Sequence, residues 1–220
     1  MTNEESNRTV KVWDLPVRLF HWLLAALFVT SWLSVELGEM DRHLLSGYAI
    51  LTLILFRLIW GLFGSTTAKL HDCVHSPRRI AGYLGDLLKG RPPQWVGHNP
   101  VGGLAVLALL ILVALQVGTG LFANDDIFTE GPLASQVSKE TSDWLTTVHK
   151  TSFNVLLAFV AIHIAANLLY LVGFRQNLIG AMITGRKSVQ GEGRQLRFPS
   201  PLWAVVALGV SAGAVWWIVN

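Results

Sequence analysis

The residues best equipped for chemistry in this 220-residue chain are its seven histidines: His21, His43, His71, His75, His98, His149 and His163. Four of them, His21, His43, His149 and His163, lie in or at the ends of long apolar blocks. An ionisable side chain is costly there and is a functional candidate by default. One such histidine is as well explained by a hydrogen bond to a neighbouring helix or by snorkelling to the interface. Four in a matching pattern point to ligation. His149 and His163 stand fourteen residues apart. On a helix that spacing returns to within about 40° of the same face and separates the two by about 21 Å.

The elements that must position them are membrane spans. The chain is 52% hydrophobic and 14% charged, with a mean hydropathy of +0.47, whereas a soluble domain carries roughly a quarter charged residues. This excludes a disordered tail, a small disulfide scaffold and an ordinary soluble enzyme. The single cysteine, Cys73, excludes an internal disulfide and a four-cysteine zinc or iron–sulfur site. The formal charge is +3, but the charges sit between apolar blocks rather than along a basic stripe, which argues against nucleic acid as a partner.

A span needs about 20 largely apolar residues. Five blocks qualify, at 17–35, 44–63, 101–123, 148–174 and 202–219, so the lipid bilayer is the first partner. A cleaved signal peptide is the alternative for the first block. Glu4, Glu5 and Asp14, the histidine opening the apolar run and the lack of a small-residue cleavage site speak against it. The leader and the gaps at 64–100 and 175–200 hold 13 lysines and arginines, Arg194 among them; the remaining gaps and helix ends hold three, with eight acids. The positive-inside rule then predicts that the N-terminus is cytoplasmic and the C-terminus lies outside. The 64–100 gap is expected to carry a short helix over 77–89, stopped by Pro92 and Pro93. The 124–147 gap is expected to carry an amphipathic helix around 133–144, and the 175–200 gap to be mostly irregular.

With that orientation each level of the membrane holds two histidines. His21 can face His163 near the cytoplasmic side, and His43 can face His149 near the periplasmic side. Two imidazoles across a gap suit the two axial positions of a haem iron, with the macrocycle buried between helices. Zinc or copper also accepts imidazole, but neither level offers the cysteine or carboxylate that a tetrahedral site would need. Two six-coordinate haems stacked across a bilayer make an electron wire with no open iron position for oxygen.

The segment Arg18-Leu19-Phe20-His21-Trp22 resembles the opening helix of the bacterial cytochrome b561 family, which includes the b-type subunits of membrane-bound nickel–iron hydrogenases. His43-Leu-Leu-Ser-Gly47-Tyr48, followed by Arg57-Leu-Ile-Trp60, resembles that family's second helix. His149 and His163 match the two histidines of its fourth. The resemblance covers roughly residues 9–180. It implies an all-α integral membrane protein, a four-helix transmembrane bundle binding two haems over 9–180. Residues 181–220, a cytoplasmic loop and a fifth C-terminal transmembrane helix, depart from the pattern. It also implies two b-type haems, ligated by His21 with His163 and by His43 with His149. Electrons would pass between quinone or quinol and a periplasmic cytochrome c or hydrogenase-like redox subunit.

Other residues admit two readings each. Gly47, one turn past His43, would let a porphyrin approach the backbone, or would serve helix packing. Arg57, Arg18 and Arg42 could pair with haem propionates, or snorkel to lipid phosphates. His71 and His75 could bind a metal with Cys73 and Asp72 if helical, but a solvated loop is the simpler expectation. His98 is expected at the interface, and the nine tryptophans as an interfacial belt. The main functional expectation is an electron-transfer subunit between quinone and a redox partner. The alternatives are a hydrogenase anchor, a self-contained oxidase or quinone reductase, and a haem-free transporter or structural membrane protein.

Overall fold

The structure is a computed structural model that describes residues 8–189 and 195–220; Glu4, Glu5 and Arg194 lie outside the described residues. In chain order the elements are β1 (Arg8–Lys11), α1 (Leu15–Glu36), α2 (Met40–Phe63), α3 (Pro77–Leu88), α4 (Pro100–Gly120), α5 (Lys139–Val172), α6 (Leu178–Thr184), β2 (Arg186–Val189) and α7 (Pro201–Val219). Helices α1, α2, α4, α5 and α7 are each long and apolar enough to cross a membrane. The protein is a multi-pass helical membrane protein.

The helices start where a polar side chain can take up a free backbone N–H. Asp14 accepts from Val17 N at 2.8 Å ahead of α1, and Asn99 accepts from Gly102 N at 2.7 Å ahead of α4. Pro16 and Pro100 occupy the first turns, where no N–H is needed. Helix α2 is the central one: 44% of its most apolar stretch is buried, against 11% for α1, α4 and α5. It packs on α1, α4 and α7, and α4 packs on α5. Helix α7 turns Ala204, Ala207, Ser211 and Val215 inward, a stripe of mostly small residues that allows close approach. Its one buried hydroxyl, on Ser211, donates to Ala207 O at 2.8 Å.

Three local expectations are corrected. The fourth span does not begin at 148. Helix α5 runs 34 residues from Lys139, about 51 Å, and absorbs most of the separate helix expected at 133–144, leaving a 3-10 turn at Ala134–Gln136. Ser138 accepts from Thr141 N, Glu140 sits in the first turn where the helix dipole favours an acid, and Ser142 donates to Phe122 O at 2.7 Å. These polar turns therefore find partners outside the hydrocarbon. Helix α3 forms as expected but ends at Gly90 (φ +73°), whose N–H reaches Leu87 O at 3.0 Å, ahead of the proline pair.

The third correction concerns 175–200. It holds α6 and β2, and β2 pairs antiparallel with β1, Thr9 opposite Ser188 and Lys11 opposite Arg186. Gly185, at φ +77°, makes the turn: its carbonyl accepts Val12 N and Trp13 N at 2.8 and 3.1 Å, and a Cβ there would lie 2.7 Å from Trp13 O. The end of the bundle closed by this ribbon and α3 is the ribbon end; the opposite end, with the 121–138 segment, is the loop end. Six tryptophans (22, 32, 144, 203, 216 and 217) are exposed, in keeping with a belt, whereas Trp13 and Trp60 are buried.

Candidate functional site

Helix α5 carries two histidines, and each meets a histidine from a different helix. His163 and His21 of α1 have ring centroids 6.3 Å apart with planes at 49°. His149 and His43 of α2 stand 6.1 Å apart at 89°. The fourteen-residue spacing places the first pair toward the ribbon end and the second toward the loop end. Between the two levels, Phe28 of α1 and Phe153 of α5 stack at 5.9 Å with planes 22° apart. These three ring pairs span the gap between α5 and the α1–α2 pair. Groups of three or more metal-ligating side chains are absent among the described residues; the imidazoles come two by two.

Main-chain carbonyls orient the loop-end pair. His43 Nδ1 lies 3.0 Å from Ser31 O and 3.1 Å from Ser31 Oγ, and His149 Nδ1 lies 2.9 Å from Gln116 O. A carbonyl can only accept, so each Nδ1 carries the proton and Nε2 is left as the basic nitrogen. Ser152 donates to Gln116 Oε1 at 2.6 Å, which fixes the Gln116 amide nitrogen 3.2 Å from His149 Nε2. Gly120 stands against the same ring: a Cβ there would be 3.0 Å from His149 Cε1.

The ribbon-end pair is held differently. His21 Nδ1 is buried without a hydrogen-bond partner among the described residues. Trp22 meets the His21 ring edge-on at 4.9 Å. His163 Nε2 is 3.3 Å from Asn167 Nδ2, which also donates to His163 O at 2.8 Å.

A Cβ built on Gly47 or on Gly118 meets nothing within 4 Å, so both glycines border open space. Arg57 does not snorkel. It is buried at 3% exposure, its Nη1 donates to Ala68 O at 2.9 Å, and Gly61 leaves room for it and for Leu70. It fastens the 65–73 segment to α2. Arg18 donates to Ile183 O, and Arg42 pairs with Glu39 on the surface at 3.7 Å.

The sequence reading missed a polar cluster at the ribbon end. Cys73 is fully buried, with Sγ 3.7 Å from His98 Nδ1, and the His98 ring packs on Trp13 at 4.6 Å. Cys73 and His98 are therefore packed against the fold rather than free in solvent. Burial pushes the Cys73 thiol up. Burial, with Arg57, His163 and His75 adding to it, pushes His98 down to about 3. Tyr83 and Tyr170 share a hydrogen bond at 2.7 Å, and burial together with that bond raises Tyr83. His75 leans on Trp95 at 5.7 Å while His71 lies exposed beside Asp72 at 3.4 Å, so the two do not join Cys73 in a metal site. Gly103 packs on this cluster: a Cβ there would sit 2.6 Å from Cys73 O.

Known proteins resemble this arrangement along most of its length. The Prokaryotic cytochrome b561 family pattern matches residues 12–185, which include all four paired histidines and stop before α7. Proteins named "Probable Ni/Fe-hydrogenase B-type cytochrome subunit" from Bradyrhizobium diazoefficiens, Azotobacter vinelandii and Rhodobacter capsulatus are 26%, 26% and 23% identical. The alignments cover 81%, 80% and 84% of this chain and 86%, 87% and 83% of theirs. The chain belongs to the prokaryotic cytochrome b561 family.

Proposed function

We propose that the chain is a two-haem membrane cytochrome, the membrane-embedded electron-transfer subunit of a hydrogenase-like redox assembly, exchanging electrons with the quinone pool. The observation that supports it best is the separation within each histidine pair. The ring centroids stand 6.3 and 6.1 Å apart, so a metal ion between the two imidazoles of either pair would be within reach of both. The open space beside Gly47 and Gly118 is compatible with a flat macrocycle.

His21 with His163 and His43 with His149 would each hold a haem b, which supplies a one-electron couple when bound. Phe28 and Phe153, both half-buried, stack between the two levels. The basic residues favour the ribbon end as cytoplasmic and the loop end as periplasmic. Residues 9–180 would form the haem domain and α7 an added helix buttressing α2. The names of the relatives favour a hydrogenase-type partner over a soluble cytochrome c. Quinone as the mobile partner rests on family membership.

Purified from membranes, the chain is expected to give two haems per polypeptide in a pyridine haemochrome assay. His163→Ala should retain the loop-end haem and His43→Ala the ribbon-end one. A folded chain without porphyrin overturns the proposal. Recovery of hydrogenase subunits with a tagged chain, and reduction of its haem by hydrogen in the membranes, test the partner; recovery of a soluble cytochrome instead would replace it.

A further inference from the structure

The segment that follows α4 holds two large apolar side chains out in solvent on a turn fastened from beneath. Ile127 is 73% exposed and Phe128 95%. A single carboxylate oxygen, Asp125 Oδ1, accepts the N–H groups of Ile127, Phe128 and Thr129 at 3.0, 2.9 and 2.8 Å, and Asp125 N donates to Thr129 O at 3.0 Å. Those donors hold the Asp125 carboxyl well below the usual carboxylate range, so the turn keeps its anchor at neutral pH. Asp126 bonds Lys139 of α5, and Asn124, bridged to Glu130, donates to Ser142 Oγ at 2.6 Å. Gly131 seats the base of the turn on the end of α4: its N–H reaches Ala123 O at 2.7 Å, and a Cβ there would lie 2.4 Å from Leu121 O.

An apolar pair on a support this well tied loses little conformational freedom when a partner covers it. That is the condition of an anchor residue before binding, a large side chain ready to fill a pocket. Charge selects the occupant. The loop end holds eight acids against three cations, and Arg42 and Lys139 are already taken up by Glu39, Asp126 and Asp143. Asp125, Asp126 and Glu130 flank the tip and are exposed. Lipid headgroups are neutral or anionic and offer such a rim no attraction. A protein face with an apolar pocket bordered by lysine and arginine complements both the tip and its rim.

We infer that Ile127 and Phe128 form a preorganised docking knob for a redox protein that offers a basic-rimmed apolar pocket. The position fits that occupant. The knob stands on the end of α4, where Gly120 lies against the ring of His149, so a protein seated on it is held at the end of the bundle that carries the His43–His149 pair. What the contact serves, the transfer of electrons, rests on the function proposed above; the knob, its rim and its support do not.

The test is photo-cross-linking of the full chain in its native membrane, with Phe128→p-benzoylphenylalanine as the probe. The same photoreactive residue in place of Leu88, which is 87% exposed at the ribbon end, is the reference. The expected adduct at 128 is a protein that carries haem or iron–sulfur clusters, joined through a segment rich in lysine and arginine, and its yield should fall as salt is raised. Phe128→Ala should leave the haem content and the melting temperature of the chain unchanged and slow electron exchange with the cross-linked protein at least about tenfold. Lipid adducts alone at 128, adducts no different from those at 88, or unslowed exchange by Phe128→Ala overturns the inference. A chain that cross-links to such a protein but contains no haem would instead overturn the proposed function and leave the knob standing.

Discussion

Asp14 accepts the indole N–H of Trp60, 46 residues away, at 2.9 Å, while its other carboxylate oxygen caps α1 through Val17 N at 2.8 Å. Both side chains are buried. One carboxylate thus starts the first span and pins it to the end of the second. Asp14→Ala should cost on the order of 2–3 kcal/mol, the loss of a cap plus a buried N–H left unpaired. Thermal unfolding in detergent reads this, and Trp60→Phe in the Asp14→Ala background should recover part of it.

Gly120 is predicted to be the tightest steric requirement of the loop-end site. Its Cβ position is 3.0 Å from His149 Cε1, closer than a branched side chain can be accommodated without turning the imidazole. Gly120→Leu should lower the haem ratio from two toward one while the ribbon-end haem remains. Retention of both haems at full affinity would show that His149 has more freedom than its Gln116 bond suggests.

Gly47 separates two explanations that the sequence left open. Nothing lies within 4 Å of its Cβ position, so helix packing gives no reason for a glycine there. Gly47→Leu should leave the melting temperature of the haem-free protein unchanged or slightly raised, since leucine is the better helix former. Haem uptake by the same variant should weaken. Equal loss in both measurements would assign Gly47 to packing.

His98 makes stability depend on pH. Its ordinary value is 6.5, and burial, reinforced by Arg57, His163 and His75, pulls it down to about 3 in the folded protein. The unfolded chain therefore binds the proton first as pH falls. The stability associated with neutral His98 is fully present above pH 6.5 and is lost progressively down to about 3. The steepest loss is about 1.4 kcal/mol per pH unit. His98→Gln should flatten the melting-temperature profile in that window relative to the unmodified protein, where carboxylates contribute equally to both. Parallel profiles would contradict the burial.

Much of the fold was legible because its signals are local. Span length and hydropathy set α1, α2, α4 and α7 to within a few residues, and a fixed rise per residue set the distance between His149 and His163 along α5. The early start of α5 was legible only in part: a separate helix was expected around 133–144, but not its unbroken run into the span, because the polar Ser138, Glu140 and Ser142 do not extend the apolar stretch. The pairing of β1 with β2 was invisible for a similar reason: four-residue strands carry little pattern, and their register depends on a partner nearly 180 residues away.

The sequence by itself determined that a membrane bundle carries histidines at two depths on one helix, since periodicity and the cost of polar groups in lipid need no knowledge of neighbours. Only the tertiary structure decided which groups those histidines lean on. Ser31 and Gln116 as acceptors, His21 without one among the described residues, Arg57 bound to Ala68 and Cys73 beside His98 all join residues from 11 to 33 positions apart or leave them apart. Such contacts depend on how helices rotate and approach, which is set by the packing of whole faces rather than by any one stretch of chain.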